Sequence, residues 1–439
     1  MINLDLNPSY SGKLRIRKNK DVYFVYDKDI KKGINANQDL MDILELCNGE
    51  NSVNEINYSL SRKRQEDTQE AVNSTIENLV KDGFLTLNGK KEAKKKFNVN
   101  EYNFDFPLDG AYLELTRDCN FRCFHCYAEA SYSNSDTNKT GLDQYNHLID
   151  GLDRMGITSL CFTGGEPFFS RHVFDILPYV DSKNIEMGFL TNGALLNDES
   201  ISYLKKINPK FVAVSCDSHK KEIFEKIRGK DNYKKVIESV GKLVSAGINT
   251  HINCVIFNGL NDSEEHISEF SEFFKKFNIS GKSITFDEFV PEGRGKDFEK
   301  YMIDENKVAE NIRNAFKKSP IDLQHEPSIW AESPYTNSTC GLGLQILSIK
   351  SNGDVSLCPI LAADNYLAGN VFRQDVQEIW ETSPVFKYFR ENEFSKDKDS
   401  KCSKCDVLEK CLGGCKAKAL RFYGSFSKQD PWMCAYFKK

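Results

Sequence analysis

The chain has 439 residues and a formal net charge of −5 at pH 7. This length predicts two or three domains. The slightly acidic balance gives no footprint for nucleic acid, and no apolar run approaches the roughly 20 residues that span a membrane. Because the N-terminus lacks the basic and apolar segments of a secretory signal, we expect a cytoplasmic protein.

The sequence contains fourteen cysteines, and its N-terminus shows no export signal. In a reducing cytoplasm such cysteines are expected to be metal ligands rather than disulfides. Four lie singly in apolar segments and are predicted to be buried core residues: Cys47, Cys161, Cys216 and Cys254. The other ten form two groups: Cys119, Cys123 and Cys126, then Cys340, Cys358, Cys402, Cys405, Cys411, Cys415 and Cys434.

Residues 1–90 predict a small winged-helix domain. The patterns indicate strands at 13–16 and 22–26, helices over 36–47, from Ser52 and over 66–82, and a strand at 84–87. Ser52 and Glu55 have the spacing of a capping box. The third helix is acidic, which argues against binding in a DNA groove. Residues 91–104 contain much of a lysine-rich run and are predicted to be a solvated linker.

Strands and helices alternate over residues 105–320, which predicts a parallel sheet covered by helices. Strands are predicted at 111–115, 159–163, 186–191, 211–215, 249–256 and 283–286, and helices at 142–155, 172–181, 198–207, 233–246 and 264–277. Six units are too few for a closed eight-stranded barrel, so we predict an α/β fold with a partial (β/α)6 TIM-like barrel. Active groups then lie at the carboxyl ends of the strands.

Cys119, Cys123 and Cys126 stand at C-x3-C-x2-C spacing directly after the first of these strands. Three thiolates leave one iron of a four-iron cubane without a protein ligand, and an open iron is a place for chemistry. A zinc loop and three unrelated core cysteines are the alternatives.

Polar motifs follow the next strands. Gly164, Gly165 and Glu166 come after the second strand, where the glycines permit close backbone approach and the carboxylate can accept from an ammonium. Asn192 ends the third strand, and Ser215 and Asp217 end the fourth; Arg228 follows. Turn and cap chemistry is the alternative for each of these residues.

The cysteine loop and the Gly-Gly-Glu-Pro motif resemble the radical S-adenosylmethionine (SAM) superfamily, with His125 at the aromatic position of its signature. The resemblance implies that the open iron binds SAM and that an electron from the cluster releases a 5′-deoxyadenosyl radical. It places Gly164, Gly165 and Glu166 at the SAM amino group. It also places Ser215 and Asp217 at the ribose with Asn192 nearby, and Arg228 at the methionyl carboxylate.

The N-terminal domain resembles the PqqD-like recognition element of ribosomally synthesised, post-translationally modified peptides (RiPPs) over residues 43–49, 53–56 and 79–85. That resemblance implies that a leader peptide binds as an added β-strand.

Residues 321–439 contain seven cysteines, an Asn-Gly hairpin signal at 352–353 and Trp380 on a predicted helix. A zinc ribbon of Cys402, Cys405, Cys411 and Cys415 would leave three cysteines idle. The region resembles the SPASM domain, which implies two auxiliary [4Fe-4S] clusters and three in all. The resemblance assigns Cys402, Cys405, Cys411 and Cys434 to the outer cluster and Cys340, Cys358 and Cys415 to the inner one. Since 333–335 offers no further cysteine, we predict that the inner cluster lacks a fourth.

These resemblances predict a maturase that binds the leader of a precursor peptide and closes a thioether or carbon–carbon crosslink in its core. The product loses two electrons, so the auxiliary clusters are the expected exit route, and a reductant such as flavodoxin or ferredoxin is expected to supply the first cluster. Asp287, Glu288 and Glu292 are the candidate bases. One alternative is an anaerobic sulfatase maturase, although Pro359 stands where such enzymes place an aspartate. The other is an iron–sulfur sensor.

Overall fold

A computed structural model of the chain describes residues 2–10, 12–89, 96–132, 140–317, 341–363, 366–392, 394, 400–411 and 413–437. The chain divides into two compact units. The first comprises Met1–Pro107, Leu152–Thr158 and Ser182–Ile185, and the second comprises Leu108–Gly151, Ser159–Asp181 and Glu186–Lys439. None of the helices in the described ranges has the length and apolar character needed to cross a membrane.

The first unit combines two small sheets with three helices. Its strands are β1 (Asn7–Tyr10), β2 (Leu14–Asn19), β3 (Val22–Asp27), β4 (Lys32–Ala36), β5 (Leu85–Asn88) and β6 (Val99–Glu101), and its helices are α1 (Gln38–Leu46), α2 (Val53–Arg64) and α3 (Gln69–Lys81). One sheet has the order β4-β3-β2-β6, and the other pairs β1 with β5. Leu44, Ile56 and Ile76, one from each helix, are completely buried in a common core with Ile16 and Val25 of the sheet.

Helices α1 and α2 begin within two residues of their predicted starts, whereas α3 begins three residues after its predicted start. The Asn37 side chain accepts from the backbone N–H of Leu40 at the start of α1. Ser52 and Glu55 form the predicted capping box, in which each side chain accepts from the other residue's backbone N–H. These caps satisfy amide groups that the first turn of a helix leaves without partners.

Three short strands of the first unit were not predicted. β1 and β4 lack apolar alternation, and β1 contains Pro8, so pairing with neighbours rather than local pattern makes them strands. β6 lies in the segment predicted to be a linker. It pairs in parallel with β2, Val99 opposite Ile16, so 99–101 belongs to the sheet. Partner strands satisfy backbone groups that a free segment would offer to water.

The second unit is built on one nine-stranded sheet. Its first six strands are β7 (Gly110–Glu114), β8 (Ser159–Thr163), β9 (Glu186–Thr191), β10 (Phe211–Ser215), β11 (Thr250–Ile256) and β12 (Ile284–Glu288). They lie side by side in chain order and all neighbours are parallel. Helices alternate with them: α4 (Leu142–Arg154), α5 (Val173–Ser182), α6 (Asp198–Ile207), α7 (Lys221–Arg228), α8 (Tyr233–Ser245) and α9 (Glu264–Lys275). The six predicted strands are confirmed to within two residues at each end.

The same sheet continues on the other side of β7 with β13 (Ile346–Ile349), β14 (Asp354–Ser356) and β15 (Leu367–Asn370). β13 and β14 form the predicted antiparallel hairpin around Asn352-Gly353. The remaining helices are α10 (Glu305–Lys317), α11 (Val376–Thr382), α12 (Pro384–Glu391), α13 (Leu408–Cys411), α14 (Lys416–Tyr423) and α15 (Pro431–Phe437). Trp380 lies on α11 as predicted and is completely buried, with the Arg390 guanidinium 4.2 Å from its ring.

Strand register brings the chemistry-bearing segments together. Glu114 at the end of β7 pairs with Thr163 at the end of β8, and Ser215 at the end of β10 pairs with Asn253. The loops that follow these strands therefore leave from one edge of the sheet. The four lone cysteines, Cys47, Cys161, Cys216 and Cys254, are all buried as predicted.

Candidate active site

The cysteine loop leaves the end of β7 and is closed on itself. The backbone N–H of Cys119 donates to the carbonyl of Ser131 at 3.0 Å, and that of Cys126 donates to Cys123 at 3.4 Å. Cys119 and Cys123 are buried, whereas Cys126 is partly exposed. Burial raises the pKa of the Cys119 thiol to about 12 and that of Cys123 to about 11. A cation nearby, such as iron, is what converts such buried thiols into thiolates.

Gly164 and Gly165 pack against this loop. The Gly165 N–H donates to the Thr116 carbonyl at 2.6 Å. A Cβ on Gly164 would stand 2.3 Å from the Thr116 oxygen, and one on Gly165 would stand 2.2 Å from the Asp118 oxygen. Such contacts do not occur between real atoms, so both positions require glycine. The glycines make the close backbone approach that the sequence predicted, and they make it to the cysteine loop. This contact fixes the cysteine loop to the end of β8.

Glu166 is completely buried and joins the ends of β8 and β9. Its carboxylate accepts from the Thr191 hydroxyl and the Asn192 N–H, both at 2.7 Å, and from the Phe168 N–H at 3.2 Å. Burial raises the pKa of Glu166 to about 7, although these donors oppose the shift. A carboxylate has about four acceptor positions, so this one retains capacity for one further donor.

Asn192 lies against the cysteine loop. Its amide nitrogen is 2.8 Å from the Asn120 side-chain oxygen and 3.6 Å from the Cys119 sulfur. Its side-chain oxygen accepts from the Ala194 N–H. Hydrogen bonds to cysteine sulfur tune iron–sulfur potentials, so Asn192 is placed to act on a cluster at Cys119.

Asp217 and Arg228, predicted as two separate SAM contacts, lie against each other. Arg228 reaches both oxygens of Asp217, at 2.7 and 2.9 Å, and the Asp217 carboxylate is completely buried. Burial would lower the pKa of Arg228, but Asp217 and the Cys123 thiol raise it, so the guanidinium stays charged. The Cys123 thiol and the Phe124 N–H face the carbonyls of Arg228 and Ile227. Ser215 is partly exposed at the last position of β10.

His125 contributes a polar atom to an aromatic surface. Its ring lies 5.1 Å from Phe257 and 5.6 Å from Phe124. Burial lowers the pKa of His125 to about 4, so the ring is neutral at pH 7. Its Nδ1 is buried and has no hydrogen-bond partner within the described ranges. A buried nitrogen left in this way is expected to meet a bound molecule.

The three candidate bases are held by cations of α14. Lys418 lies 3.1 Å from Asp287 and 3.3 Å from Glu288, and Arg421 lies 3.0 Å from Glu292. Burial raises the pKa of Glu288 to about 8, although Lys418 opposes it. Burial alone would lower the pKa of Lys418, but the carboxylates around it have the larger combined effect, so the pKa is raised. Lys418 therefore stays charged while Glu288 keeps its proton near neutrality.

Asp430 organises the C-terminal cysteines, and sequence reasoning missed it. Its carboxylate accepts from the N–H of Cys415 at 2.7 Å and of Met433 at 3.1 Å, and its carbonyl accepts from Cys434. Burial raises the pKa of Cys411 to about 11, with Cys434 and Cys402 among the neighbouring causes. The Asp-Pro pair before α15 is a helix-start signal that could have identified Asp430. Cys340 and 333–335 lie outside the described residues.

The residues of the first loop suit an iron–sulfur cluster with a bound molecule beside it. Three thiols share one loop, an amide faces one sulfur, and the buried Nδ1 of His125 adjoins Cys126. Within the described ranges, no three cysteine, histidine or carboxylate residues could hold a single metal ion. A cubane gives each cysteine its own iron, so its ligands do not share one point.

Two stretches of the chain match known families. Residues 113–271 match the radical SAM superfamily, and residues 340–406 match SPASM, an iron–sulfur cluster-binding domain. These ranges contain the cysteine loop, the Gly-Gly-Glu-Pro motif and most C-terminal cysteines.

Several proteins resemble the chain over most of its length. The mycofactocin maturase MftC of Mycobacterium ulcerans is 25% identical over 328 residues, 72% of this chain and 85% of that protein. The subtilosin biosynthesis protein AlbA of Bacillus subtilis is 27% identical over 339 residues, 76% and 72% of the two chains. The crystal structure of Streptococcus suis SuiB bound to the precursor peptide SuiA superposes with a TM-score of 0.69 at 18% identity, covering 97% of this chain and 99% of that one. The chain is therefore an enzyme that contains a radical SAM domain over residues 113–271 and a SPASM iron–sulfur cluster-binding domain over residues 340–406.

Proposed function

We propose that this enzyme matures a ribosomally synthesised peptide by closing a crosslink in it. MftC and AlbA support the proposal by sequence. The observation that carries it is the reach of the fold likeness to SuiB, a protein solved with its precursor peptide. That likeness covers 97% of the chain and so extends over the first unit as well as the second.

We place leader recognition on the first unit, as a winged-helix, PqqD-like element. β4 is the edge strand of its four-stranded sheet, and within the described ranges only β3 pairs with it. Three of its five residues, Gly33, Ile34 and Asn35, are partly or fully accessible between an exposed Lys32 and a buried Ala36. An edge strand of this kind offers unpaired N–H and C=O groups to an extended peptide.

We propose that the second unit's parallel sheet forms a partial barrel around SAM and the first cluster. Cys119, Cys123 and Cys126 would hold the cluster, and Asn192 would donate to Cys119. Glu166 has an acceptor position left for the SAM ammonium, and the Nδ1 of His125 offers a further contact. When bound, the cluster and SAM supply a carbon radical that removes a hydrogen atom from the peptide.

We propose three [4Fe-4S] clusters in all. Cys402, Cys405, Cys411 and Cys434 would hold the outer auxiliary cluster, and Cys340, Cys358 and Cys415 the inner one, which lacks a fourth cysteine. Cys402 and Cys434 lie close enough to Cys411 to help raise the pKa of its thiol, which supports the outer set of ligands. These clusters provide a way out for the electron left when the crosslink forms, while flavodoxin or ferredoxin reduces the first cluster in the cytoplasm.

Proton removal from the peptide requires a base. Asp287 is half exposed, whereas Glu288 is buried and keeps its proton near neutrality. A base must be deprotonated to act, so Asp287 is the better candidate of the two. Lys418 would hold it in place and stabilise its charge.

Anaerobic reconstitution with SAM, dithionite and the peptide encoded beside this protein's gene tests the function. Mass spectrometry should show a peptide that has lost two hydrogen atoms, and fragment ions identify the linked residues as thioether or carbon–carbon. The same peptide without its leader is the control and should react far less. Formation of 5′-deoxyadenosine with modification of a sulfatase peptide instead would favour a sulfatase maturase. Absence of 5′-deoxyadenosine would refute the proposal that this protein has radical SAM activity.

A further inference from the structure

Arg294 binds the cysteine loop on both sides of Cys126. Its Nε donates to the Cys123 carbonyl at 3.0 Å, and its Nη1 donates to the Ala130 carbonyl at 2.7 Å. Its backbone N–H donates to the Cys126 carbonyl at 3.2 Å. One residue from the far end of the sheet therefore joins three points of the loop. The rigid fork of a guanidinium suits such paired contacts, whereas a lysine ammonium cannot reach both carbonyls at once.

Gly293 makes this contact possible. Its φ is +53°, in the left-handed region that side chains disfavour. A Cβ there would stand 2.5 Å from the Tyr127 oxygen and 2.6 Å from the Cys126 oxygen. The backbone at residue 293 therefore lies directly against the cysteine loop. A displacement of residues 292–294 from the loop would break the hydrogen bonds that Arg294 makes to it.

The same segment is tied on its other side to α14. Arg421 lies 3.0 Å from Glu292, and both side chains are largely buried, at 16% and 11% exposed. One turn earlier, Lys418 pairs with Asp287 and Glu288. Helix α14 begins immediately after Cys415. The helix that forms ion pairs with residues 287–292 is therefore directly continuous with the backbone of a C-terminal cysteine. Ion pairs this well buried fix geometry because breaking them leaves charges without partners.

We propose that residues 292–294 are a strap through which α14 positions the cysteine loop, with Arg294 and Glu292 as positioning residues for SAM binding at the first cluster. The strap makes the helix after Cys415 part of the architecture of the first site. The inference rests on the assignment of Cys119, Cys123 and Cys126 as cluster ligands, but it does not depend on which substrate the enzyme modifies.

The proposal differs from simple packing in what it predicts for Arg421. Arg421 reaches the strap through its ion pair with Glu292, so we expect its effect on the cysteine loop to pass through Glu292 and Arg294. A packing role would lower stability when Arg421 is changed and leave SAM binding as it was. A positioning role changes the SAM affinity of fully loaded enzyme.

The test is an anaerobic SAM titration of reconstituted enzyme, followed by the electron paramagnetic resonance signal of the reduced first cluster, with no peptide present. We expect Arg294→Gln to raise the Kd for SAM about tenfold or more, since charge-assisted hydrogen bonds contribute at this level. Arg421→Gln should raise it severalfold. Iron content and thermal midpoint are measured for every variant, so that loss of folding or of a cluster is seen separately.

The decisive comparison is a double-mutant cycle. In an Arg294→Gln background, Arg421→Gln should have almost no additional effect on the Kd, because the strap is already cut. Arg117 provides the matched control, since its Nη2 donates to the Ala128 carbonyl of the same loop at 2.6 Å. The factors by which Arg117→Gln and Arg421→Gln each raise the Kd for SAM should multiply in the double variant.

Rescue guards against a misfolded variant. Methylguanidinium added to Arg294→Ala enzyme should restore much of the SAM affinity, which unfolded protein would not regain. An Arg421→Gln enzyme with full iron content and the parental Kd would overturn the proposal. Effects of Arg294→Gln and Arg421→Gln that multiply independently would overturn it as well.

Discussion

The buried carboxylate of Glu166 makes a prediction about stability that can be worked through in numbers. Its pKa rises from a usual value of 4.5 to about 7 in the folded protein. Between these pH values the unfolded chain releases the proton and the folded chain keeps it, so stability falls as pH rises through this window. A shift of this size corresponds to about 3 kcal/mol. Glu166→Gln keeps the shape but does not titrate.

The free energy of unfolding should therefore shift in favour of Glu166→Gln by about 3 kcal/mol between pH 4.5 and pH 8, relative to the parent. Anaerobic urea denaturation of the cluster-free protein, read by circular dichroism, measures this difference. Glu199→Gln, on the exposed first turn of α6, is the matched control for the loss of one carboxyl group. A pH-independent difference for Glu166→Gln would refute the claim that burial raises the pKa of this carboxyl group.

Three further changes test other parts of the site. Asp217→Asn leaves the Arg228 guanidinium buried without its anion, and we expect a loss of about 3–5 kcal/mol in unfolding free energy; Asp217→Asn combined with Arg228→Met should recover part of it. Gly165→Ala forces a Cβ toward the Asp118 carbonyl, 2.2 Å away, so reconstituted enzyme should lose first-cluster iron and 5′-deoxyadenosine formation together. Cys411→Ser should lower the iron content by about four atoms per chain and preserve SAM-dependent changes in the first cluster's spectrum; loss of that response would contradict separate clusters.

Sequence pattern predicted the second unit well because its elements are regular. The parallel strands are continuous apolar runs and most helices show clear periodicity, so β7 to β12 and five of the six helices between them were predicted with small errors at their ends. The short helix α7 was not predicted. The short strands β1, β4 and β6 were missed. Their residues carry no alternation, and they are strands only because β2, β3 and β5 supply hydrogen-bond partners.

The candidate site shows the same division. The residue types of Glu166, Asp217 and Arg228 were singled out from position along the chain, but their partners were not predictable. Asp217 and Arg228 are 11 residues apart and their pairing depends on how α7 returns to β10. Arg294 carries no motif strong enough to reveal that it binds the backbone of Cys123, which is 171 residues earlier in the chain.

The amino-acid sequence by itself determined the chemistry on offer: the number and spacing of cysteines, the glycine-rich turn after β8, and the order of strands and helices. These are local properties, set by neighbours within a few residues. Only the tertiary structure decided which groups meet, such as Arg294 with the cysteine loop and α14 with residues 287–292. Those contacts join segments more than a hundred residues apart, and no local preference of the chain encodes them.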